Sequence, residues 1–577
     1  MLRFIILFII ATFFATAANA AMKLRVEGLS GELEDNVEAR LSIIEPDSIE
    51  DTPQFRRYVE AEIKKALRAL GYYSPTFSYK TRDSRNGLSS KQVFEVHVDP
   101  GRPILIERVS VNITGEGQND RDYTQLLRNQ TPSVGDVLNH GTYDSFKRSL
   151  LNLALRKGYF DADLTRHQLA VSDKTYQGFW RLDMDTGERY RFGNVHFEET
   201  PIREEILRNI IPFTEGEYYT SDQLALFSRR LSATNWFSSV TTLPDFSHVG
   251  EDKTLPVNVV AIPRKTNLID VGAGYSTGVG VRGKLNWTKP WINDSGHSFQ
   301  SNLALSRVEP TITASYKMPL MKSPLEDYYL LQGGYKREDN NDTDSNSYTF
   351  GAFRYWDTFE GWQKAIGLNI NYDRFTQADV SYNTFLFYPS VSFSRIRSNG
   401  GLLPMWGDSQ RYSVEVGSKD LLSDVDFWSF KTQQVWIRSL YDTHRFVARV
   451  NFGFIETNEF ERLPPSMRFF AGGDRSIRGY SYQSISPEDS KGKLTGASRL
   501  LTGSIEYQYN FSGAWWGAAF VDSGEAINSF DNHDFHTGGG IGIRWVSPIG
   551  PIKMDVATPL DHSSSSIHFY IGLGAEL

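Results

Sequence analysis

The chain has 577 residues and a net charge of −8, from 61 Lys and Arg against 69 Asp and Glu, a balance that does not favour a nucleic-acid-binding protein. The absence of cysteine excludes disulfide frameworks, thiolate metal sites and cysteine nucleophiles. Its 13% aromatic content and 47 glycines favour a large β-structure or a protein at a membrane interface.

The N-terminal segment 1–21 has the pattern of a secretory signal peptide. Arg3 precedes an apolar run over 4–14, and small residues follow. This pattern predicts cleavage after Ala20 or Ala21 and export from the cytoplasm. A buried N-terminal helix is the alternative. No later stretch approaches the ~18 uninterrupted apolar residues of a transmembrane helix.

The next segment contains a threefold repeat of about 80 residues. Each repeat has an amphipathic helix that ends at Gly71, Gly158 or Asn235, followed by an aromatic pair. Gly and Asn tolerate the left-handed conformation that closes a helix, so the match has a physical cause. Each unit is predicted to have the order β-α-α-β-β in an α+β fold; unrelated α+β modules are the alternative. We refer to modules 1, 2 and 3, with boundaries at 22–102, 103–188 and 189–264.

Helical spacing gives way to two-residue alternation in 265–577. For example, Ile505 and Tyr507 alternate with Ser504 and Glu506. Strands of about ten residues with one apolar and one polar face predict an antiparallel transmembrane barrel. A soluble β-sandwich is the alternative. Sixteen strands are predicted, at 267–277, 280–288, 297–307, 310–319, 326–337, 346–356, 360–373, 384–396, 409–418, 426–440, 443–455, 500–510, 513–522, 537–546, 550–557 and 567–576.

One connection of the predicted barrel is much longer than the others. It joins the eleventh and twelfth strands over residues 456–499, and we refer to it as loop 6. Loops of this length are usually functional or disordered. If the N-terminal modules are periplasmic, loop 6 is the sixth extracellular loop.

Three motifs carry a resemblance to a known family. Loop 6 contains Ile477, Arg478, Gly479 and Tyr480, which match the (V/I)-R-G-(F/Y) motif of the Omp85 superfamily. The family's F-x-D-x-G strand motif is matched by Phe520, Asp522 and Gly524, and residues 540–551 resemble its penultimate-strand signature. The repeated modules resemble POTRA domains. The resemblance implies three periplasmic POTRA domains followed by a sixteen-stranded outer-membrane barrel.

The same resemblance implies a role for the loop motif. In the family, the loop arginine is thought to enter the barrel lumen and bind acidic residues of the inner wall. Here that implies Arg478 bound to Asp522, with Glu506 as a second partner. A guanidinium group suits this role because it holds two carboxylates by charge-assisted hydrogen bonds. A solvated loop charge is the alternative.

The number of modules and the chain length resemble the TamA-type branch of the superfamily, the outer-membrane subunit of the translocation and assembly module. This resemblance implies autotransporter-type outer-membrane polypeptides as clients and a TamB-like inner-membrane partner contacted by module 1. Contacts with outer-membrane lipid and lipopolysaccharide are also expected. No cofactor, metal, catalytic residue or nucleic acid is expected.

Three function classes follow. The first is an assembly factor with a lateral gate between the first and last strands, where Gly272, Gly274, Gly572 and Gly574 lie. Glycine weakens strand packing, although tight curvature at barrel closure also explains it. The second is a two-partner-type secretion pore through the lumen. The third is an enzyme such as a barrel lipase. The loop that contains Arg478 and the POTRA-like modules favour the first two classes. The G-x-S-x-G sequence at 274–278 lacks the strand-to-helix turn of hydrolases.

Overall fold

The computed structural model of the chain describes residues 22–86, 89–276, 280–357, 361–401, 403–531, 533–547, 550–561 and 566–573. The predicted signal peptide with Ala20 and Ala21 lies outside this range, as does Gly574. The chain divides into two compact units: the first holds modules 1 and 2 with part of module 3, and the second holds the barrel with the rest of module 3.

Each module has the predicted order of two helices between one strand and a hairpin. Module 1 comprises β1 (Lys23–Glu27), α1 (Glu32–Leu41), α2 (Pro53–Ala69), β2 (Thr76–Asn86) and β3 (Ser89–Asp99). Module 2 comprises β4 (Leu105–Thr114), α3 (Arg121–Gln130), α4 (His140–Lys157), β5 (Asp163–Ser172) and β6 (Gln177–Asp185). Module 3 comprises β7 (Arg191–Phe197), α5 (Glu204–Arg208), α6 (Ser221–Ala233), β8 (Phe237–Pro244) and β9 (Thr254–Pro263).

The last strand of each module is central in its sheet, with orders β1-β3-β2, β4-β6-β5 and β7-β9-β8. In the first two modules it pairs parallel to the opening strand and antiparallel to its hairpin partner. The second helix packs one apolar face on the sheet; in α2 this face includes the buried Phe55, Val59 and Ile63. None of the helices in the described residues is long and apolar enough to cross a membrane.

The predicted helix ends have the conformation that the sequence requires. Gly71, Gly158 and Asn235 adopt φ values of 88°, 84° and 61°. At the start of α2, the Thr52 side chain accepts a hydrogen bond from the Phe55 amide, and Pro53 occupies the first helical position. Local side-chain chemistry therefore sets both ends of this helix.

The sixteen remaining strands form a closed antiparallel barrel in chain order, which confirms the predicted fold class. They are β10 (Leu268–Ser276), β11 (Gly280–Lys289), β12 (Ser298–Ser306), β13 (Thr311–Pro319), β14 (Tyr328–Asn340), β15 (Thr343–Asp357), β16 (Gln363–Gln377), β17 (Val380–Ser398), β18 (Gly407–Gly417), β19 (Phe427–Leu440), β20 (His444–Thr457), β21 (Arg499–Ser512), β22 (Trp515–Ile527), β23 (His536–Ser547), β24 (Gly550–Pro559) and β25 (His568–Leu573).

Alternation along the strands separates an outer apolar face from an inner polar face. In β21, Ile505 is 68% exposed, whereas the neighbouring Ser504 and Glu506 are buried. Several strands are longer than predicted; the eighth begins at Val380 rather than at 384. The hydrogen-bond ladder continues there through polar residues, beyond the point where apolar alternation ends.

Candidate functional site

The inner face of the last strands presents a buried acidic surface. Glu506 on β21, Asp522 on β22 and Asp555 on β24 are buried and point away from the apolar outer face. We refer to these three carboxylates as the acidic wall. In the β21–β22 ladder Ser504 lies opposite Asp522, two residues from Glu506 on the same face of β21.

Loop 6 folds into the barrel lumen and places its motif on the acidic wall. Gly472 and Gly473, with φ values of 100° and 101°, turn the chain inward. Ile477 is fully buried in an apolar cluster that also contains Leu386 and Phe427 of the wall. This packing fixes the segment that leads into Arg478.

Arg478 makes the contacts that position the loop. Its Nε and Nη2 donate to the two carboxylate oxygens of Asp522 at 2.7 and 2.9 Å. Nη1 donates to Glu506 at 2.9 Å and to Asp555 at 3.2 Å, and Nη2 also reaches the Ser504 hydroxyl at 3.3 Å. The backbone amide of Arg478 donates to Asp522 at 3.0 Å. The structure thus brings together the arginine and both of the partners expected for it.

A second arginine belongs to the same network and was not among the expected site residues. Arg544 on β23 is 1% exposed and donates to Glu506 Oε1 at 2.7 and 3.0 Å and to Asp555 Oδ1 at 2.5 Å. Arg478 takes the other oxygen of each carboxylate. Two-residue alternation along their strands predicts that Arg544 and Asp555 face inward. Which residues they pair with can be seen only once the register between the strands is known.

The residues of the strand motif pack around the docked loop. The Arg478 guanidinium lies 3.3 Å from the centre of the Phe520 ring, which adds a cation–π contact. Gly524 has no room for a Cβ atom, which would clash with the backbone of Leu501. The same holds for Gly538, where a Cβ would overlap the Arg478 carbonyl oxygen. These positions require glycine because loop and wall backbones approach closely.

Gly479 and Tyr480 complete the motif. Gly479 has a φ of 101°, and its amide donates to the Tyr570 hydroxyl at 3.1 Å. That hydroxyl donates in turn to the Tyr480 carbonyl at 3.1 Å. The Tyr480 hydroxyl donates to Asp561. Because Tyr570 lies on β25, the loop motif is hydrogen-bonded to the last barrel strand.

Other parts of loop 6 are attached to the opposite wall. Asn341, in the turn after β14, donates to the Tyr482 carbonyl at 3.1 Å. The Tyr482 hydroxyl donates to Glu309 at 3.1 Å, and Gln377 on β16 donates to the Leu494 carbonyl at 2.7 Å. Loop 6 therefore crosses the lumen and is held at both sides.

The seam between the first and last strands contains the remaining predicted residues. The described parts of β10 and β25 meet at the Ser276–Tyr570 pair. A Cβ atom on Gly274 or Gly572 would meet nothing within 4 Å, and one on Gly272 would make an ordinary contact. Packing therefore does not require glycine at these three positions, and a gating role for them stays a prediction.

The chemistry of this site is that of a buried ionic anchor. Its arginines hold carboxylates through charge-assisted hydrogen bonds. In the part of the chain that the structure describes, no group of three or more His, Asp or Glu residues is placed to bind a metal ion. What the arrangement can do is fix loop 6 inside the lumen.

Comparison with known families matches three segments. Residues 265–576 match the Omp85 superfamily domain. Residues 23–100 match the first POTRA domain of TamA, and residues 190–261 match a POTRA family described as a surface antigen variable number repeat. The three matches cover the barrel, module 1 and module 3.

Among curated proteins, the chain is similar to the outer membrane protein assembly factor BamA of Nitratidesulfovibrio vulgaris, with 24% identity over 407 residues, 62% of this chain and 47% of that protein. It is 20% identical to BamA of Neisseria meningitidis over 463 residues, 66% of this chain and 55% of that one. The chain spans about half the length of these relatives.

Among solved structures, BamA of Haemophilus ducreyi lacking POTRA domains 1–3 matches with a TM-score of 0.53 and 16% identity, covering 95% of this chain and 98% of that one. At this identity the likeness concerns the fold. The barrel lies in the outer membrane and the modules lie in the periplasm. By the match over more than half of its length, the chain belongs to the Omp85 superfamily.

Proposed function

We propose that the protein is an outer-membrane assembly factor that inserts autotransporter-type barrel polypeptides through a lateral gate between β10 and β25. The observation that carries this proposal is the position of loop 6, which crosses the lumen. It is anchored to the acidic wall by Arg478 and to the opposite wall by Tyr482. A two-partner-type secretion pore would need this buried anchor to open for every substrate.

The seam between β10 and β25 offers a client polypeptide a route that does not pass through the lumen. A strand edge binds an added strand through its unpaired backbone groups. Gly274 and Gly572 have open space around them, so the seam strands lack cross-strand side-chain packing at these positions. Strand pairs gain much of their stability from such side-chain contacts. A seam without them costs less to open than its neighbours.

The periplasmic modules indicate the partners of the protein. The match of residues 23–100 to the first POTRA domain of TamA supports a TamB-like inner-membrane partner bound by module 1. The clients are outer-membrane polypeptides, as the names of the BamA relatives suggest. Outer-membrane lipid and lipopolysaccharide contact the apolar outer face. The protein acts mechanically and not as an enzyme.

A disulfide across the seam tests the gate. The Ser276–Tyr570 register, continued by two residues, sets Gly274 opposite Gly572, so Gly274→Cys with Gly572→Cys closes the seam. The native chain has no cysteine, so only this bridge can form. The oxidised protein in bilayers is expected to stop accelerating client folding, and reduction is expected to restore it.

A bridge elsewhere in the barrel is the control. Gly503 on β21 lies opposite Ser523 on β22, and a Cβ at Gly503 fits without a clash. Gly503→Cys with Ser523→Cys should leave activity unchanged. Full activity of the oxidised seam variant would contradict the lateral gate and favour transport through the lumen.

A further inference from the structure

A cavity of about 430 Å³ lies inside the barrel, next to the docked tip of loop 6. Its lining reaches from β19 to β25 and includes Gly572 of the last strand. Because Gly572 has no side chain and open space at its Cβ position, the cavity extends to the seam. A polypeptide that adds to β25 would therefore pass along this cavity.

The lining carries five basic side chains and three carboxylates. Two of the basic groups, Arg478 and Arg544, are occupied by the acidic wall. The acidic wall pairs these two arginines with three carboxylates: Glu506 and Asp555, which line the cavity, and Asp522, which does not. Asp474 is the remaining carboxylate of the lining, so five basic groups face four carboxylates in and beside the cavity. Positive charge therefore remains in excess inside the cavity.

Two arginines of the lining, Arg449 and Arg475, have no carboxylate partner among the described residues. Arg449 on β20 donates to the Ser504 hydroxyl at 3.1 Å. Arg475, at the tip of loop 6, is exposed and has no hydrogen-bond or ion-pair partner among the described residues. Lys553 lies opposite Gly572 in the β24–β25 ladder, directly beside the seam. The two arginines suit an anion that enters from the seam.

The strand geometry indicates which anion this is. Along any strand of the barrel, alternate side chains face the lipid and the lumen. In the barrel itself, inward-facing arginines are paired with inward-facing carboxylates: Arg544 on β23 donates to Asp555 on β24. A strand added to β25 would be paired in the same way if it carried an acidic residue on its luminal face.

We propose that this cavity binds an acidic side chain on the luminal face of a polypeptide strand that adds to β25. The proposal rests on the proposed function, because it requires a client strand at the seam. It adds a chemical criterion for clients: an alternating strand with a luminal Glu or Asp binds more tightly than the same strand without one.

Binding of two synthetic peptides to the full-length protein in lipid nanodiscs tests the proposal. One peptide alternates Val and Thr with a central Glu among the Thr positions, and the other has Gln there. The Glu peptide is expected to bind at least about tenfold more tightly, the usual effect of a charge-assisted hydrogen bond. Arg475→Gln should reduce this preference strongly, and Arg449→Gln should do the same.

The control removes an equal charge from the same loop. Lys491 pairs with Asp379 at 2.6 Å and lies outside the cavity, so Lys491→Gln should keep the full preference. Because Arg475 is exposed, its substitution leaves packing intact, and melting of the variant checks this. Equal binding of both peptides to the native protein would overturn the proposal.

Two further outcomes separate the explanations. Displacement of the Glu peptide by lipid A at equal concentration would assign the cavity to a lipid phosphate and overturn the polypeptide assignment. Client-folding assays run on the same samples test the proposed function separately. Accelerated folding with equal peptide binding would reject only the cavity, whereas absence of acceleration would reject the proposed function.

Discussion

Two arginines share the acidic wall, each taking one oxygen of Glu506 and one of Asp555. A buried ion pair loses solvation, so it contributes stability only when its hydrogen bonds are nearly complete. Asp522 meets this condition because Arg478 binds it through two side-chain nitrogens and the backbone amide. The network therefore specifies where loop 6 docks.

Removal of Arg478 should release the loop. Breaking a buried pair by truncating one partner costs roughly 3–5 kcal/mol, because the other charges stay buried without compensation. Arg478→Ala is therefore expected to make loop 6 accessible to protease added outside intact cells. Asp522→Asn should act in the same direction. Lys491→Ala, on an exposed ion pair of the same loop, is the control. Unchanged protection in both site variants would refute the docking role.

Gly538 provides a test that changes no charge. A Cβ at this position would overlap the Arg478 carbonyl oxygen, a backbone atom that cannot rotate away. Gly538→Ala should therefore displace the loop motif and increase protease access to loop 6, while the barrel still folds. Gly503→Ala is the matched control because its Cβ makes only ordinary contacts at 3.9 and 4.0 Å. Equal protease access in the two variants would count against close docking at Gly538.

At the scale of elements, the strands and helices follow from local patterns, whereas loop 6 does not. Alternation predicted the inward-facing Ser504 and Glu506, and the helix ends at Gly71 and Gly158 followed from left-handed capping. Inside loop 6, Arg468 donates to three carbonyls, those of Leu463, Thr495 and Glu461. These contacts follow no regular spacing along the sequence, so a sequence pattern cannot predict them.

The seam strands can be stiffened without a clash. Alanine loses less conformational freedom than glycine, so each Gly→Ala change in an extended strand should stabilise it by roughly 0.5–1 kcal/mol. Gly274→Ala with Gly572→Ala should therefore slow client insertion while raising the melting temperature slightly. Gly503→Ala with Gly517→Ala, in β21 and β22, stiffens strands away from the seam. Equal insertion rates in the two double variants would argue against an opening seam.

Module 2 should lose stability in acid through one helix cap. Asp120 caps α3 and pairs with Lys157 at 2.7 Å. Burial by itself raises the pKa of Asp120, but the hydrogen bonds from Lys157 and from the Asp122 amide outweigh it, so the pKa is lowered. A carboxylate with a lowered folded pKa contributes stability that is present above its unfolded pKa, about 3.9, and is lost as the pH falls through the folded pKa.

Pulsed hydrogen exchange of the intact protein measures this effect. Protection of α3 and α4 is expected to fall as the pH drops below about 4 in the native protein. Asp120→Asn should show weaker protection at neutral pH and a smaller loss in acid. Asp144→Asn, on an exposed pair with Lys147, is the control. The same acid profile in native protein and Asp120→Asn would exclude this cap as the cause.

At the scale of the whole molecule, the architecture could be predicted because repeats and alternation extend over hundreds of residues. The fold class and the outer-membrane location are confirmed. The partners in the site needed the register between strands: Arg544 lies opposite Trp516 and Lys553, and only this pairing brings it to Glu506. These residues become neighbours only in the closed barrel, so no short stretch of sequence can predict that they pair.

The junction between module 3 and the barrel repeats the chemistry of the module ends. After Asn235, Trp236 is 2% exposed, and its indole donates to the Gly296 carbonyl at 3.0 Å, in the turn between β11 and β12. The backbone carbonyl of Trp236 accepts from the Arg264 amide at 2.8 Å. Between modules 2 and 3, the carbonyl of Gly158 accepts from the Tyr190 amide at 2.9 Å. A backbone carbonyl at the left-handed helix end or directly after it thus accepts a hydrogen bond at both junctions.

Trp236 should therefore control how firmly the first periplasmic turn of the barrel is held. Truncation of a buried Trp typically costs about 3–5 kcal/mol, so Trp236→Ala is expected to increase hydrogen exchange in residues 290–297. Trp236→Phe keeps much of the packing but loses the bond to Gly296, and should have an intermediate effect. Trp428→Ala, at an exposed position of the barrel, is the control. Exchange at loop 6 should not change, because Arg478 anchors it independently of this turn. If exchange in 290–297 is the same in Trp236→Ala and in the native protein, the turn is held by its own contacts and Trp236 does not fasten the barrel to module 3.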